Sequence, residues 1–283
     1  MAEQPVQLRR DGEVATVTLA RPDKLNALTP AMLDALEQCA RELDADTQLR
    51  VVILSAGGDK AFCVGADINE WAALQPLDMW RRWVRRGHQV FDQWARLRQP
   101  VIVAINGHAF GGGLELALTG DIRISSDAAQ FALPEASIAT CPGWSGTQRL
   151  VQLVGASRAK YLALSGRRLS AADALAAGLV HEVVPAAALS ERALALAHEM
   201  AAKAPVSLQL TKQLINAAAG EDQAATLEAM AGALAANTDD AEDGDEHERG
   251  DDRQMLEERI ETPARARSRR ASRTDAPSRS RAP

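Results

Sequence analysis

Three glycines followed by a glutamate mark the first segment that could do chemistry, in the stretch INGHAFGGGLELALTGD from Ile105 to Asp121. An apolar run ends there, the glycines let the backbone approach a ligand closely, and a helix begins whose free N–H groups favour negative charge. Because the segment has neither a phosphate-loop nor a GxGxxG pattern, it predicts a site for an oxyanion or another anion rather than for a nucleotide phosphate. Glu115 lies in the first helical turn. It either complements the helix dipole or, in its apolar surroundings, serves in catalysis.

A second carboxylate, Glu135, follows a proline in FALPEASIATCPGWSGTQRL. Proline followed by an acid is typical of a helix start, which is the structural alternative for this residue. Its neighbours are mostly apolar, however, and a tight Pro/Gly turn comes next. Two carboxylates in such settings suit general acid–base catalysis, because burial can raise the pKa of one of them enough to keep a proton. The sequence therefore makes Glu115 and Glu135 a candidate catalytic pair.

The third segment is KAFCVGADINEW, residues 60–71. Its small residues Gly65 and Ala66 could aim backbone N–H groups at a ligand, although the pattern is also typical of an ordinary strand-to-helix loop.

The five histidines form no metal-ligand or Ser/His/Asp spacing, so no metal site is predicted. Four of the five tryptophans lie between residues 71 and 94, interleaved with arginines. Packing or an apolar ligand pocket explains them more simply than stacking on nucleic acid.

Composition narrows the class of protein. The 283 residues include 32 basic and 38 acidic side chains, a net charge of -6, which gives no general attraction for nucleic acid or anionic lipid. The three cysteines lack a disulfide or zinc pattern and indicate reduced, intracellular thiols. No apolar run has the length of a signal peptide or a membrane span, so we expect a cytoplasmic protein without membrane or nucleic-acid partners.

The elements that would position these segments alternate between short apolar strands and helices. Strands are predicted at Val14–Leu19, Val51–Leu54, Val101–Ile105 and Asp121–Ser125. Such spacing predicts an α/β fold with a sheet buried on both faces. Ala- and Leu-rich segments at 157–178 and 189–236 predict helices.

Residues 239–261 hold twelve acids and three arginines, and residues 262–283 hold seven arginines and one aspartate. With so few apolar residues, 239–283 is predicted to be a disordered charged tail.

Taken in order, five segments resemble the enoyl-CoA hydratase/isomerase (crotonase) superfamily: RPDKLNAL, KAFCVGADI, INGHAFGGGLELALTGD, FALPEASIATCPGWSGTQRL and SGRRLSAADALAAGLVHEVVP. The resemblance runs from about Val6 to about Asp240. It implies a crotonase (ClpP-like) α/β fold, a spiral of ββα repeats followed by a C-terminal helical region. It also implies trimers or dimers of trimers that act on acyl-CoA thioesters. The corresponding division is a spiral core at 1–195, a helical trimerisation region at 196–238 and the tail at 239–283.

The resemblance also implies roles for individual residues. The N–H groups of Ala66 and Gly112 match the two donors of an oxyanion hole, which stabilise the enolate oxygen formed from the thioester. The remaining matches are Glu115 and Glu135 as the two catalytic glutamates, Asp67, Ile68 and Asn69 beside the thioester, and Lys24 as a coenzyme A contact. Where many hydratases have small residues after the Pro-Gly turn, this chain has Trp144 and Ser145, so Trp144 is expected in the acyl pocket. The ending after Asp240 also departs from the family pattern.

Because both glutamates are present, the resemblance implies an enoyl-CoA hydratase that adds water syn to trans-2-enoyl-CoA and forms 3-hydroxyacyl-CoA. Glu115 would activate the water and Glu135 would protonate the α-carbon. No cofactor is expected, since coenzyme A arrives with the substrate. An isomerase or a special acyl-CoA dehydratase of the carnitinyl type remains an alternative, and a non-catalytic protein that binds RNA or a partner through its arginine-rich tail is a remote one.

Overall fold

The computed structural model describes residues 4–72, 74–75, 78–138 and 140–217. Ten strands lie in this part of the chain: β1 (Val6–Asp11), β2 (Val14–Leu19), β3 (Val51–Ala56), β4 (Ala61–Cys63), β5 (Val101–Ile105), β6 (His108–Phe110), β7 (Ile122–Ser126), β8 (Gln130–Ala132), β9 (Leu169–Ser170) and β10 (Glu182–Val184). The α-helices are α1 (Pro30–Ala45), α2 (Ile68–Trp71), α3 (Arg85–Ala95), α4 (Gly112–Ala117), α5 (Gly146–Ser165), α6 (Ala171–Ala176), α7 (Leu189–Ala201) and α8 (Pro205–Asn216). A π-helical turn, Met79–Val84, precedes α3.

The strands form two sheets with alternating membership. The larger sheet has the order β1-β2-β3-β5-β7-β10 and the smaller one the order β4-β6-β8-β9. In the pairs β3/β4, β5/β6 and β7/β8, the first strand joins the larger sheet, the second joins the smaller sheet, and a helix follows. This repetition confirms the α/β crotonase fold expected from the sequence.

The four predicted strands are confirmed as β2, β3, β5 and β7, with their ends shifted by two residues or fewer. In β3 the four residues from Val51 to Leu54 are buried, and in β5 all five residues are buried, as expected for strands covered on both faces. Neither sheet is purely parallel, because β1 and β2 form an antiparallel pair around Gly12 in the larger sheet and β9 runs antiparallel to β8 in the smaller one. Six strands were not predicted. They are β1 and the short strands β4, β6, β8, β9 and β10, whose two or three residues carry too little periodicity.

Helices α1 and α7 pack on the larger sheet and extend the core. Thr29 is the N-cap of helix α1, because its hydroxyl accepts the N–H of Met32. The helix buries a leucine-rich stripe. Helix α7 buries Leu189 and three alanines against strand residues of the larger sheet. The domain boundary predicted at 195 falls inside this continuous helix.

The chain divides into two units, Met1–Ala231 and Gly232–Pro283. The second unit and residues 218–231 lie outside the described residues, as does the predicted charged tail.

The predicted helix at 157–178 is two helices, α5 and α6, separated by β9. Within the described part, no helix is both long and apolar enough to cross a membrane.

Candidate active site

The three glycines of the GGG segment allow close approaches between the backbone and its neighbours. Gly111 has φ +52°, and a Cβ there would lie 2.9 Å from Oε1 of Glu135. A Cβ on Gly112 would lie 2.8 Å from Cζ3 of Trp144, and one on Gly113 would lie 2.0 Å from the carbonyl oxygen of Cys63. Any side chain at these positions would therefore displace a neighbour, two of which are predicted site residues.

The structure brings Gly65, which precedes the predicted oxyanion donor Ala66, close to the second predicted donor, Gly112. A Cβ on Gly65 would lie 3.2 Å from the backbone nitrogen of Gly112. Leu28 forms a parallel bridge with Ala66, but its two hydrogen bonds use the oxygen of Gly65 and the N–H of Asp67 and leave out the N–H of Ala66. Gly112 is the first residue of α4, so its N–H has no acceptor within the helix. The use of these two backbone N–H groups as an oxyanion hole stays a prediction.

Glu115 is buried on α4, with 2 % of its surface exposed. Its Oε1 accepts the N–H groups of Trp144 and Gly146, both at 2.9 Å. Burial raises the pKa of Glu115, and the backbone N–H groups and the charge of Arg149 oppose that rise. A Cβ on Gly146 would lie 2.2 Å from Cγ of Glu115, so the loop at 143–146 fits closely around this carboxylate.

Glu135 lies in a 3₁₀ turn, Glu135–Ile138, and is 8 % exposed. Burial raises its pKa to about 7; a backbone hydrogen bond opposes this rise, and the charge of Glu115 adds to it. Its Oε2 is buried and has no hydrogen-bond partner in the described part of the protein. A buried carboxyl oxygen without a partner is costly as an anion, so this group is suited to carry a proton near neutral pH.

The loop that contains Lys24 is joined to the Ala66 segment. Arg21 donates a hydrogen bond of 2.8 Å to Oδ2 of Asp67, and this bond lowers the pKa of that carboxyl. Asp67 also caps α2, because its Oδ1 accepts the N–H of Asn69. Ile68, Asn69 and Lys24 are exposed. Asp67 is therefore held by protein groups, and contact of these four residues with a substrate stays a prediction.

Trp144 is 3 % exposed, and its indole lies in a cluster of aromatic rings. The ring centroids of Trp83 and Phe91 are 5.5 Å and 5.1 Å from that of Trp144. The structure thus places Trp144 against Gly112 and next to Glu115. A role in an acyl pocket stays a prediction.

Two contacts at this loop could not be predicted from sequence patterns. Ser145 has φ +68°, and its Oγ lies 2.7 Å from Nδ1 of His88 on α3. Nε2 of His88 is 3.8 Å from Asp92, which also binds Arg149. The i,i+4 spacing of His88 and Asp92 is visible in the sequence, but their contact with a serine 57 positions away is not. Within the described residues, no three His, Cys, Asp or Glu side chains are grouped to hold a metal ion.

A spiral of ββα units that brings together two buried glutamates and two backbone donors defines a crotonase-fold protein. The chain belongs to the enoyl-CoA hydratase/isomerase family, whose sequence profile matches residues 9–253. It is therefore an enzyme of that superfamily.

Individual relatives agree with this assignment. The chain is 40% identical over 211 residues to a short-chain-enoyl-CoA hydratase of Clostridium acetobutylicum, covering 75% of this chain and 80% of the relative. It is 40% identical over 209 residues to a mitochondrial enoyl-CoA hydratase of Pongo abelii, covering 74% and 71%. The crystal structure of an enoyl-CoA hydratase from Bacillus anthracis has a TM-score of 0.80 and 36% identity, covering 83% of this chain and 92% of that one.

Proposed function

We propose that this protein is an enoyl-CoA hydratase that adds water syn across the double bond of a trans-2-enoyl-CoA to give a 3-hydroxyacyl-CoA. The observation that carries the proposal is the pair of buried carboxyl groups, Glu115 and Glu135. Both groups have raised pKa values, and the charge of Glu115 acts on Glu135. The names of the relatives support hydration of an acyl-CoA.

In this mechanism the thioester oxygen binds between the N–H groups of Ala66 and Gly112. Those donors stabilise the negative charge that develops on the oxygen as the enolate forms. The carbonyl is polarised at the same time, which makes the β-carbon electrophilic. The oxyanion site therefore acts before and during the attack of water.

Glu115 takes a proton from the attacking water while the oxygen of that water bonds to the β-carbon. The two N–H groups on its Oε1 fix the orientation of the carboxylate and favour its charged form. Glu135 then gives its proton to the α-carbon, and the enolate returns to the thioester. One proton leaves water and one reaches carbon, so each turnover exchanges the protonation states of the two carboxyl groups, which then re-equilibrate.

Coenzyme A enters as part of the substrate, and the proposal includes no other cofactor. Lys24 is proposed to contact the coenzyme A phosphates, with Asp67, Ile68 and Asn69 beside the thioester. The assembly proposed is a trimer or a dimer of trimers, which light scattering of the full chain would measure.

The test is turnover of crotonyl-CoA, followed by loss of the conjugated enoyl-thioester absorbance with identification of the product by mass. We expect a product one water heavier than the substrate and a loss of about 10²- to 10⁴-fold in Glu135→Gln, the range for removal of a general acid. Glu191→Gln, an exposed glutamate on α7, is the matched control and should keep full activity. A product of unchanged mass would show an isomerase, and equal rates in the wild type and Glu135→Gln would contradict the mechanism.

A further inference from the structure

The indole of Trp144 lies against Gly112, which is one of the two proposed oxyanion donors. Its Cζ3 and Cε3 atoms lie 2.8 Å and 2.9 Å from the position of a Cβ on Gly112. The backbone of the same residue donates to Glu115, which acts on the β-carbon in the proposed reaction. An acyl chain whose carbonyl binds at Gly112 and whose β-carbon faces Glu115 therefore meets the indole within the next few carbons.

Helix α3 is shaped to receive this indole. A Cβ on Gly87 would lie 2.1 Å from Nε1 and 2.2 Å from Cε2 of Trp144. The next residue on the helix, His88, lies 2.7 Å from Oγ of Ser145. Trp144 and Ser145 replace the small residues of the family pattern. They contact two consecutive residues of α3, Gly87 and His88.

The aromatic neighbours leave the indole little freedom to move. Trp83 and Phe91 are buried and pack against Trp144, with Phe91 edge-on. Rotation of the indole away from Gly112 would require displacement of a buried ring, which a close-packed interior resists. The indole is therefore a fixed wall rather than a gate.

We propose that Trp144, which packs on Gly87, limits the substrate to short acyl chains. The proposal rests on the proposed function, because it assumes that the thioester oxygen binds between Ala66 and Gly112. It predicts discrimination by chain length at the acyl end, with no change in how coenzyme A is held.

The experiment measures kcat/KM of the full-length protein for trans-2-enoyl-CoA substrates of four, six, eight and ten carbons. We expect wild type to favour four carbons over eight by at least about 100-fold, since one methylene in a hydrophobic pocket changes kcat/KM by about 10- to 200-fold. Trp144→Ala should raise the ratio of eight-carbon to four-carbon activity by at least about tenfold, and Trp144→Phe should raise it less. Tyr161→Ala, which truncates an exposed aromatic residue on α5, should leave the profile unchanged.

Gly87→Ala tests the contact between α3 and the indole. In the wild-type background, the added methyl group should push the indole and alter the chain-length profile. In the Trp144→Ala background it should have little effect, because the two residues are then no longer in contact. Equal effects of Gly87→Ala in both backgrounds would overturn the pairing.

Binding of saturated acyl-CoA thioesters of four to ten carbons, measured by calorimetry, separates this proposal from the proposed reaction. A Kd that rises with chain length in wild type and not in Trp144→Ala supports the size limit, even if crotonyl-CoA is not turned over. Equal use and equal binding of four- and eight-carbon thioesters by wild type would overturn it. A profile unchanged in both Trp144→Ala and Trp144→Phe would also overturn it.

Discussion

Replacement of Glu135 by glutamine should make the protein more stable at neutral and alkaline pH while it removes activity. The pKa of this carboxyl is raised from 4.5 to about 7, chiefly by burial. Between those two values the folded protein holds the proton more tightly than the unfolded chain does. The free energy of unfolding of the wild type therefore falls as pH rises through this window, whereas glutamine does not titrate.

A rise of the pKa from 4.5 to about 7 corresponds to about 3 kcal/mol, at 1.36 kcal/mol per pH unit. Solvent near the rim of the site screens part of this free energy. We therefore expect the free energy of unfolding to change by about 2 kcal/mol. The assay is urea unfolding, followed by tryptophan fluorescence at several pH values from 4.5 to 9 and at constant protein concentration. The stability of Glu135→Gln relative to wild type should rise across the window and level off above about pH 7.

Glu37→Gln is a control whose effect on stability should have the opposite sign. Glu37 binds Arg86, and this hydrogen bond lowers the pKa of the glutamate. Its contribution to stability is present above the unfolded pKa and is lost as pH falls, so its removal should destabilise the protein at neutral pH. A difference between Glu135→Gln and wild type that does not vary with pH between 4.5 and 8 would refute the assignment of a raised pKa to Glu135.

Two further predictions concern turnover of crotonyl-CoA. Because hydration uses protonated Glu135, kcat/KM should fall above about pH 7, and it should fall again at acid pH as Glu115 is protonated; a flat profile from pH 6 to 9 would contradict these roles. Gly146→Ala places a methyl group 2.2 Å from Cγ of Glu115 and should reduce turnover by about 100-fold. Gly143→Ala in the same loop meets only ordinary contacts with Val84 and should retain activity; equal losses in both variants would show that the loop tolerates no substitution at all.

The sequence predicted four of the five longer strands, all except β1, and the candidate carboxylates, because these signals are local. Four or more consecutive apolar residues between turns indicate a buried strand, as in β3 and β5, and alternating β-branched residues indicate a strand in β2. The short strands of the smaller sheet carry no such signal. Their positions follow from the fold. The resemblance to a known family implied that fold, and composition and periodicity alone did not.

The contacts that shape the candidate site lie beyond what sequence patterns encode. Glu115 and Gly146 are 31 positions apart, and nothing in their local sequence shows that one packs on the other. The same holds for Trp144 and Gly87, because a lone glycine in a helix indicates only a possible close approach and not what approaches it. Such pairs are fixed by tertiary packing.

The loop at 143–146 connects the proposed chemistry with the proposed substrate preference. Its backbone holds Glu115, because both hydrogen bonds to Oε1 come from peptide N–H groups. In the proposed substrate preference, its side chain at position 144 limits the length of the acyl chain. A substitution at 144 can therefore change the size of the pocket while the N–H group that orients Glu115 is kept, whereas position 146 must remain glycine because any Cβ there would collide with the carboxylate. On this reasoning, residue 144 can vary between relatives with different substrates, and residue 146 varies only where the role of Glu115 is lost.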